Sequence, residues 1–183
     1  MQEAIPGAPP GAASAAFGPV GRWLFKASKA AAIFGSLVFV AIVVMSIISI
    51  VGRKLFAAPV PGDVEVLQMA AAFASASFFA YCHLNGGDVK VDFFTAAASP
   101  ATNHRLDALG SFLVGLVGAL ITWRAGAGAL SIKDAGETSM ILGWPVWVAQ
   151  VLMLPGFLLM ALAGFYMVGV HWRLSLAKGG AAA

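Results

Sequence analysis

A run of 22 residues without a charged side chain, from Ala30 to Val51, constrains this chain more than any other feature. At 1.5 Å per residue, a helix of that length reaches roughly 33 Å, which is enough to cross the ~30 Å hydrocarbon core of a bilayer. The run is too long for the apolar part of a signal peptide, and no small-x-small cleavage motif follows it. It therefore predicts a retained transmembrane helix.

Three further stretches have the same character and complete a set of four predicted spans, at residues 30–51, 66–84, 106–130 and 145–170. Charged residues make up only 10% of the chain, whereas a typical soluble domain has about 25%. The links between the spans are too short to fold as domains. The predicted fold class is an all-α membrane protein, a four-helix transmembrane bundle over residues 22–173, and a soluble enzyme is excluded.

The distribution of basic residues predicts the orientation of the spans. Seven of the eleven Lys and Arg residues fall on the side of the two termini, and four fall on the other side when Arg124 is included. By the positive-inside rule, both termini are expected in the cytoplasm. Residues 1–21, rich in Gly, Ala and Pro, are predicted to be a disordered tail, and residues 174–183 a second cytoplasmic tail. The net charge of +3 is too small to indicate a nucleic-acid partner.

The link between the second and third spans mixes apolar and charged residues. Val89, Phe93 and Phe94 alternate with Asp88, Lys90 and Asp92 in this segment. A short amphipathic helix lying in the cytoplasmic interface, with the phenylalanines inserted, fits this pattern. An extended strand fits the alternation as well, so both conformations remain open.

Charged residues near the predicted outer face are the first candidates for a functional role. Arg124 lies inside the third span, roughly 27 Å beyond Leu106. Its side chain is expected to snorkel to the headgroups, to form a buried ion pair or to contact substrate. The other outer-face charges are expected to bridge neighbouring loops or to form a docking surface for an external protein. They are Arg53, Lys54, Asp63, Glu65, Lys133, Asp134 and Glu137.

The three histidines, His83, His104 and His171, lie near predicted cytoplasmic helix ends. A haem site would need two histidines that face each other across the bundle, whereas histidines at helix ends are usually solvated. No carboxylate is expected at mid-membrane depth, and no nucleophile stands beside a base. The residues therefore predict no catalytic, cofactor or metal site.

Several short segments, in their order and spacing, resemble the small membrane subunit (DctQ type) of the tripartite ATP-independent periplasmic, or TRAP, transporters. The resemblance covers about residues 22–173. The segments are VGRK at 51–54, PGDVE at 61–65, GDVKVD at 87–92, GETS at 136–139, WPVW at 144–147 and LPG at 154–156.

This resemblance implies a bacterial inner-membrane system of three proteins. A periplasmic solute-binding protein (DctP type) captures an organic acid anion, and a large membrane subunit (DctM type) carries it across with sodium ions. The small subunit would brace the large one and help to dock the binding protein, binding neither sodium nor another cofactor itself. The candidate partner-interface residues are Arg53, Asp63, Glu65, Arg124, Glu137 and Ser139.

The GETS segment also has a physical interpretation. Thr138 or Ser139 is expected to cap the start of the fourth helix, with Pro145 in its first turn. Glu137 is expected to pair with Arg53 or Arg124.

Two other functions remain open from the sequence. The first is a membrane-anchor or cytochrome b-like subunit of a respiratory enzyme, which also has few spans and histidines at helix ends. The second is a small exporter acting as an oligomer, which would need polar residues facing a pore.

Overall fold

The computed structural model describes residues 17–88 and 100–179, and four helices account for nearly all of them. They are α1 (Pro19–Phe56), α2 (Asp63–Leu84), α3 (Pro100–Ala135) and α4 (Val146–Gly179). Each helix is long and apolar enough to cross a membrane. The prediction of an all-α, four-span membrane protein is confirmed. The interfacial segment predicted around Val89, Phe93 and Phe94 lies outside the described residues.

The helices extend beyond the spans predicted from their charge-free cores. α1 has 38 residues and is about 57 Å long, so both of its ends pass the ~30 Å hydrocarbon layer. It starts at Pro19, a residue whose fixed φ and missing N–H suit a first turn. It ends where Ala57 takes a φ of 52° and the Ala58 N–H donates to the Gly52 carbonyl over 3.2 Å. This closure turns the chain back towards α2.

The helices pack in the order α1, α2, α4, α3, with α3 making its extensive contacts on α4 alone among the described elements. The links at 57–62 and 136–145 lie at one end of the molecule, here called the loop end. The start of α1, the end of α2, the start of α3 and the end of α4 lie at the other end, here called the termini end. Sequence neighbours thus run antiparallel, as short links require.

Close approach of backbones holds α4 against both of its neighbours. A Cβ built on Gly164 would lie 2.5 Å from the backbone nitrogen of Gly115 in α3. A Cβ on Gly156 would lie 2.6 Å from the carbonyl carbon of Ala76 in α2. Neither position accepts a side chain without moving a helix. Small residues therefore hold these helices together by close van der Waals packing. Apolar burial does not drive helix association in lipid, because the surrounding tails are as apolar as leucine.

An aromatic cluster joins three helices at the termini end. Phe17 packs edge-on against Tyr166 of α4, with ring centroids 5.7 Å apart, and Phe25 packs against Tyr81 of α2 at 5.6 Å. Leu24 and Leu84 are buried beside them. This cluster is where α1 approaches α4, and it anchors the first turns of α1.

Beyond that cluster, α1 touches the rest of the protein along a narrow stripe. Buried positions recur down one side of the helix, and most of the large side chains on its other sides are exposed. The buried residues are Gly21, Leu24, Phe25, Ser28, Ala32, Gly35, Ile42 and Ser49. An open apolar groove of about 300 Å³ runs between α1 and α2, lined by residues that include Phe39, Ile42, Ile47 and Leu67. Most of α1 is thus free to contact lipid or another membrane protein.

Candidate functional site

Two carboxylates in the first turn of α2 organise the loop end. Asp63 and Glu65 are separated by one residue, so they point to different sides of the helix. Asp63 contacts the end of α1, and Glu65 contacts the link between α3 and α4. The start of α2 therefore connects three elements that are distant in sequence.

Asp63 ties α1 to α2 through a buried serine. The Ser49 hydroxyl donates to Asp63 Oδ2 over 2.5 Å, and Arg53 Nη2 donates to the same oxygen over 3.2 Å. The Val60 N–H in turn donates to Ser49 Oγ at 3.3 Å, and the Val64 N–H donates to Asp63 Oδ1 at 2.8 Å. These bonds fix the 57–62 link against the last turns of α1.

The Glu65 carboxylate holds the 136–145 link through backbone N–H groups of that link. Its Oε1 accepts the Ile141 N–H at 2.9 Å, and its Oε2 accepts the Leu142 N–H at 3.1 Å. Gly62, with a φ of 71°, sits where any Cβ would meet the Leu142 side chain at 2.5 Å. A left-handed backbone and the lack of a side chain are both needed there, which gives the PGD segment a physical role.

Ser139 braces the turn that Glu65 holds. Its N–H donates to the Trp144 carbonyl at 2.8 Å, and its hydroxyl accepts the Trp144 N–H at 3.1 Å. Thr138 and Pro145 form an isolated antiparallel bridge, and the Val146 N–H donates to the Glu137 carbonyl. Ser139 thus closes a hairpin-like turn instead of capping α4, which begins at Val146, after Pro145.

The remaining predicted site residues take separate positions. Arg53 pairs with Asp63 and not with Glu137. Glu137 is exposed, and within the described residues its carboxylate has no ion-pair partner. Arg124 is exposed on α3, which agrees with snorkelling; the buried ion pair considered for it does not occur among the described residues. Lys133 places its ammonium 5.3 Å from the ring centre of Trp147.

The tip of the 136–145 link is apolar and exposed. Met140 is fully exposed, Ile141 is 65% exposed and Trp144 is 53% exposed. Their backbone is fixed by Glu65 and Ser139, so the tip is an apolar surface on a hydrogen-bonded frame. The sequence indicated Glu65 and Ser139 but not Ser49 or the exposed tip. Chemically, this arrangement suits contact with another surface, and the described loop-end carboxylates are engaged in structural hydrogen bonds or face solvent.

The histidines lie at the termini end, in two groups. His83 is buried at the end of α2, and its Nδ1 lies 2.5 Å from Asp88 Oδ2. His104 of α3 and His171 of α4 have ring centroids 6.2 Å apart, and His171 Nδ1 is 3.9 Å from Asp107 Oδ2. The sequence placed these histidines near helix ends but did not bring His104, Asp107 and His171 together.

Comparison with known proteins agrees with the resemblance seen in the sequence. The family model "Tripartite ATP-independent periplasmic transporters, DctQ component" matches residues 41–174, more than half of the chain. No curated protein and no solved structure matches the chain. The matched region includes Asp63, Glu65, the 136–145 link, all of α2 and α3, most of α4 and the part of α1 from Ala41 onward. The family is a transport component and not an enzyme family, and with four membrane-spanning helices it indicates a multi-pass protein of the bacterial inner membrane. The chain belongs to the DctQ family, the small membrane subunits of TRAP transporters.

Proposed function

We propose that this chain braces the large DctM-type membrane subunit and has no transport route of its own. The observation that carries the proposal is the uncovered surface of α1. Large apolar side chains are exposed on most of its sides, and 17% of the residues in its most apolar stretch are buried within the chain, against 22% in each of the other three helices. Lipid alone would accept such a surface, but a family whose members act in a three-protein transporter supplies a natural membrane partner.

A second part of the proposal concerns the loop end. With both termini in the cytoplasm, as the basic residues predict, the loop end faces the periplasm. The exposed tip formed by Met140, Ile141 and Trp144, together with the charge of Glu137, then helps to dock the DctP-type binding protein. Apolar residues at the centre with charges around them are typical of specific protein interfaces.

Transport itself is assigned to the partner. The acidic residues of the described helices lie near helix ends, where they do not form a carboxylate site at mid-membrane depth. We therefore propose that sodium ions and the organic acid anion bind to the large subunit and the binding protein, and that the ion gradient drives uptake there.

Reconstitution tests this division of labour. Liposomes that hold this chain alone should show no uptake of the anion that the DctP-type binding protein captures. Liposomes that hold this chain and the large subunit, supplied with the binding protein, should show sodium-dependent uptake. Uptake by the chain alone would refute the proposal. An absorption spectrum of the purified chain tests the cytochrome b-like alternative, because a Soret band would show a bound haem.

Cross-linking tests the role of α1. In a Cys82→Ser background, Val40→Cys places a thiol at the middle of α1 on a side chain that is 62% exposed, and Leu116→Cys is a matched position on α3 with 49% exposure. We expect Val40→Cys to cross-link to the large subunit several-fold more efficiently. Equal or reversed efficiencies would show that α1 is not the main contact.

The docking surface is tested by Met140→Asp, which places a charge at the centre of the apolar tip. Uptake should fall several-fold at limiting binding protein and recover at high concentration, because docking is weakened and not transport. Arg53→Ala and Glu137→Ala should have smaller effects in the same direction. Leu176→Asp, at an exposed position near the end of α4 at the termini end, is the control and should leave uptake unchanged. Unchanged uptake in Met140→Asp would exclude the tip as a docking surface.

A further inference from the structure

His104, Asp107 and His171 form a compact group at the termini end that the proposed function does not use. One ligand-type atom from each residue lies within 4.8 Å of the other two. We propose that these three side chains bind one divalent transition-metal ion of the zinc type, which fastens the start of α3 to the end of α4.

Helix geometry brings the three residues together. His104 and Asp107 are three residues apart on α3 and share one face of that helix. The Ser111 carbonyl faces Gly164 at the close approach of α3 and α4. Because these helices are antiparallel, seven residues back along α3 and seven residues forward along α4 place His104 opposite His171. The glycine contact therefore sets the register of the group.

The three ligand atoms lie close enough to converge on one ion once their side chains move together. His171 Nδ1 and Asp107 Oδ2 are 3.9 Å apart, beyond normal hydrogen-bond reach. Two ligand atoms of a tetrahedral zinc ion lie about 3.4 Å apart, given zinc–ligand bonds of about 2.0–2.1 Å. Two imidazoles on one such ion have ring centres about 5 Å apart, and the rings here are at 6.2 Å. Both separations are larger than those around a bound zinc ion, so binding requires side-chain rotations that draw the ligand atoms together.

The ligand types select the class of metal. Two imidazole nitrogens and one carboxylate oxygen are typical of zinc and neighbouring transition metals, whereas calcium and magnesium prefer oxygen ligands throughout. The side chains of His171 and Asp107 are 14% and 26% exposed, so the group is shielded and still open to solvent. Water completes the coordination from that side.

The site has a structural consequence because of where α3 packs. Among the described helices, α3 makes extensive contacts only with α4. The small-residue contacts between them run from Ser111 towards the loop end, and the three-residue group lies beyond them, at the termini end. An ion bound there would add a cross-link where the glycine contacts have ended.

Zinc titration of the full chain tests the site. The chain is purified in detergent, stripped with a chelator and titrated with Zn²⁺ against a chromogenic zinc indicator. We expect one ion per chain and a higher melting temperature with zinc. His104→Ala and His171→Ala should each weaken binding by more than the roughly 10–100-fold that loss of an orienting second-shell group costs.

Two further variants separate a metal site from an ordinary histidine–aspartate ion pair. Asp107→His keeps a metal ligand but removes the carboxylate, so zinc binding should persist in this variant if the site is real. Asp88→Asn removes the carboxylate of the other histidine–aspartate pair and should bind zinc as the unchanged chain does. Size-exclusion profiles confirm that each variant is folded.

Three results would overturn the proposal. Zinc binding of unchanged stoichiometry and affinity in His171→Ala would place the ion elsewhere. Absence of zinc binding in the unchanged chain would leave an ion pair only. Binding of added haem by the unchanged chain, with loss of its Soret band in His171→Ala, would assign the histidines to a haem.

Discussion

The pair α3–α4 and the pair α1–α2 are both antiparallel, but they are joined in different ways. Between α3 and α4, backbone meets backbone: Gly164 lies on Gly115, and Gly118 lies on Ala161. Between α1 and α2, the membrane-embedded part has one comparable approach, at Gly35 against Ala74 and Ser77. Polar bonds at the loop end and aromatic rings at the termini end supply the rest.

This difference shows how residue size directs contacts inside a membrane. Rows of Gly, Ala and Ser let the chain close on itself, because van der Waals contact between backbones replaces the hydrophobic effect. α1 carries large branched and aromatic residues on most of its sides, and these cannot approach a neighbouring backbone so closely. The same chain therefore packs α3 and α4 backbone to backbone, whereas α1 meets α2 with fewer such contacts, and large apolar residues stay exposed on all four helices.

The largest expected effect comes from breaking the close packing of α4 on α3. Gly164→Leu forces a side chain into the Gly115 backbone and should destabilise the chain by about 3 kcal/mol or more. In detergent this corresponds to a fall in melting temperature of roughly 6–12 °C. Gly169→Leu is the matched control, since nothing lies within 4 Å of a Cβ at that position. Equal melting temperatures of the two variants would contradict the close approach.

Glu65 is the next test, because it holds the α3–α4 link from outside that pair. Glu65→Ala removes the acceptor of two backbone N–H groups, so amide exchange at Ile141 and Leu142 should rise about tenfold or more. Glu65→Gln retains one acceptor oxygen and should give an intermediate rise. Glu137→Gln, which changes an exposed carboxylate on the same link, is the control. If exchange in Glu65→Ala stays at the original rate, the link is ordered by its own turn.

Ser49→Ala tests the polar tie of the α1–α2 pair. Loss of the hydroxyl removes a donor to Asp63 and an acceptor from Val60, so the Val60 amide should exchange several-fold faster. Ser46→Ala is matched, since that hydroxyl bonds only to the Ile42 carbonyl of its own helix. Equal exchange at Val60 in the two variants would mean that Ser49 does not hold the 57–62 link.

Arg53→Ala should have the smallest effect of the series. The Arg53 side chain is 59% exposed, and ion pairs in contact with water contribute little to stability. Exchange at Val60 should change by no more than about twofold, and added salt should remove the difference between Arg53→Ala and the unchanged chain. If exchange at Val60 rises as much in Arg53→Ala as in Ser49→Ala, the ion pair, and not the serine, secures the end of α1.

The sequence predicted the four helices because runs without charge have few alternatives in a membrane. It underestimated their lengths, since a helix continues into the interfacial region where polar residues such as Arg22 and Lys133 are tolerated. Large apolar residues on all sides of the 30–51 span are also typical of a helix exposed to lipid or to a membrane partner. Helix type and exposure depend on local composition, which a single sequence contains.

Contacts between elements were harder to predict. Asp63 and Glu65 were recognised as candidates, but their main partners are a buried serine and two backbone N–H groups, which carry no distinctive sequence signal. Glu137 was expected to pair with Arg53 or Arg124, yet the chain reversal after Ala57 places Asp63 beside Arg53, and no ion pair of Glu137 with Arg124 occurs among the described residues. His104 and His171 were visible as histidines near helix ends. Their meeting depends on the register of α3 against α4, which is set by glycine contacts two turns away.

The packing order α1, α2, α4, α3 has a consequence of its own. Among the described helices, α1 and α3 are the outer members of the series, and each has a free flank, much as an edge strand leaves one side of a sheet unpaired. A further helix from another protein can join either flank without displacing any helix–helix contact already formed. Insertion and subunit association can then occur as two separate stages, and the first stage yields a four-helix unit whose own helix–helix contacts are all formed.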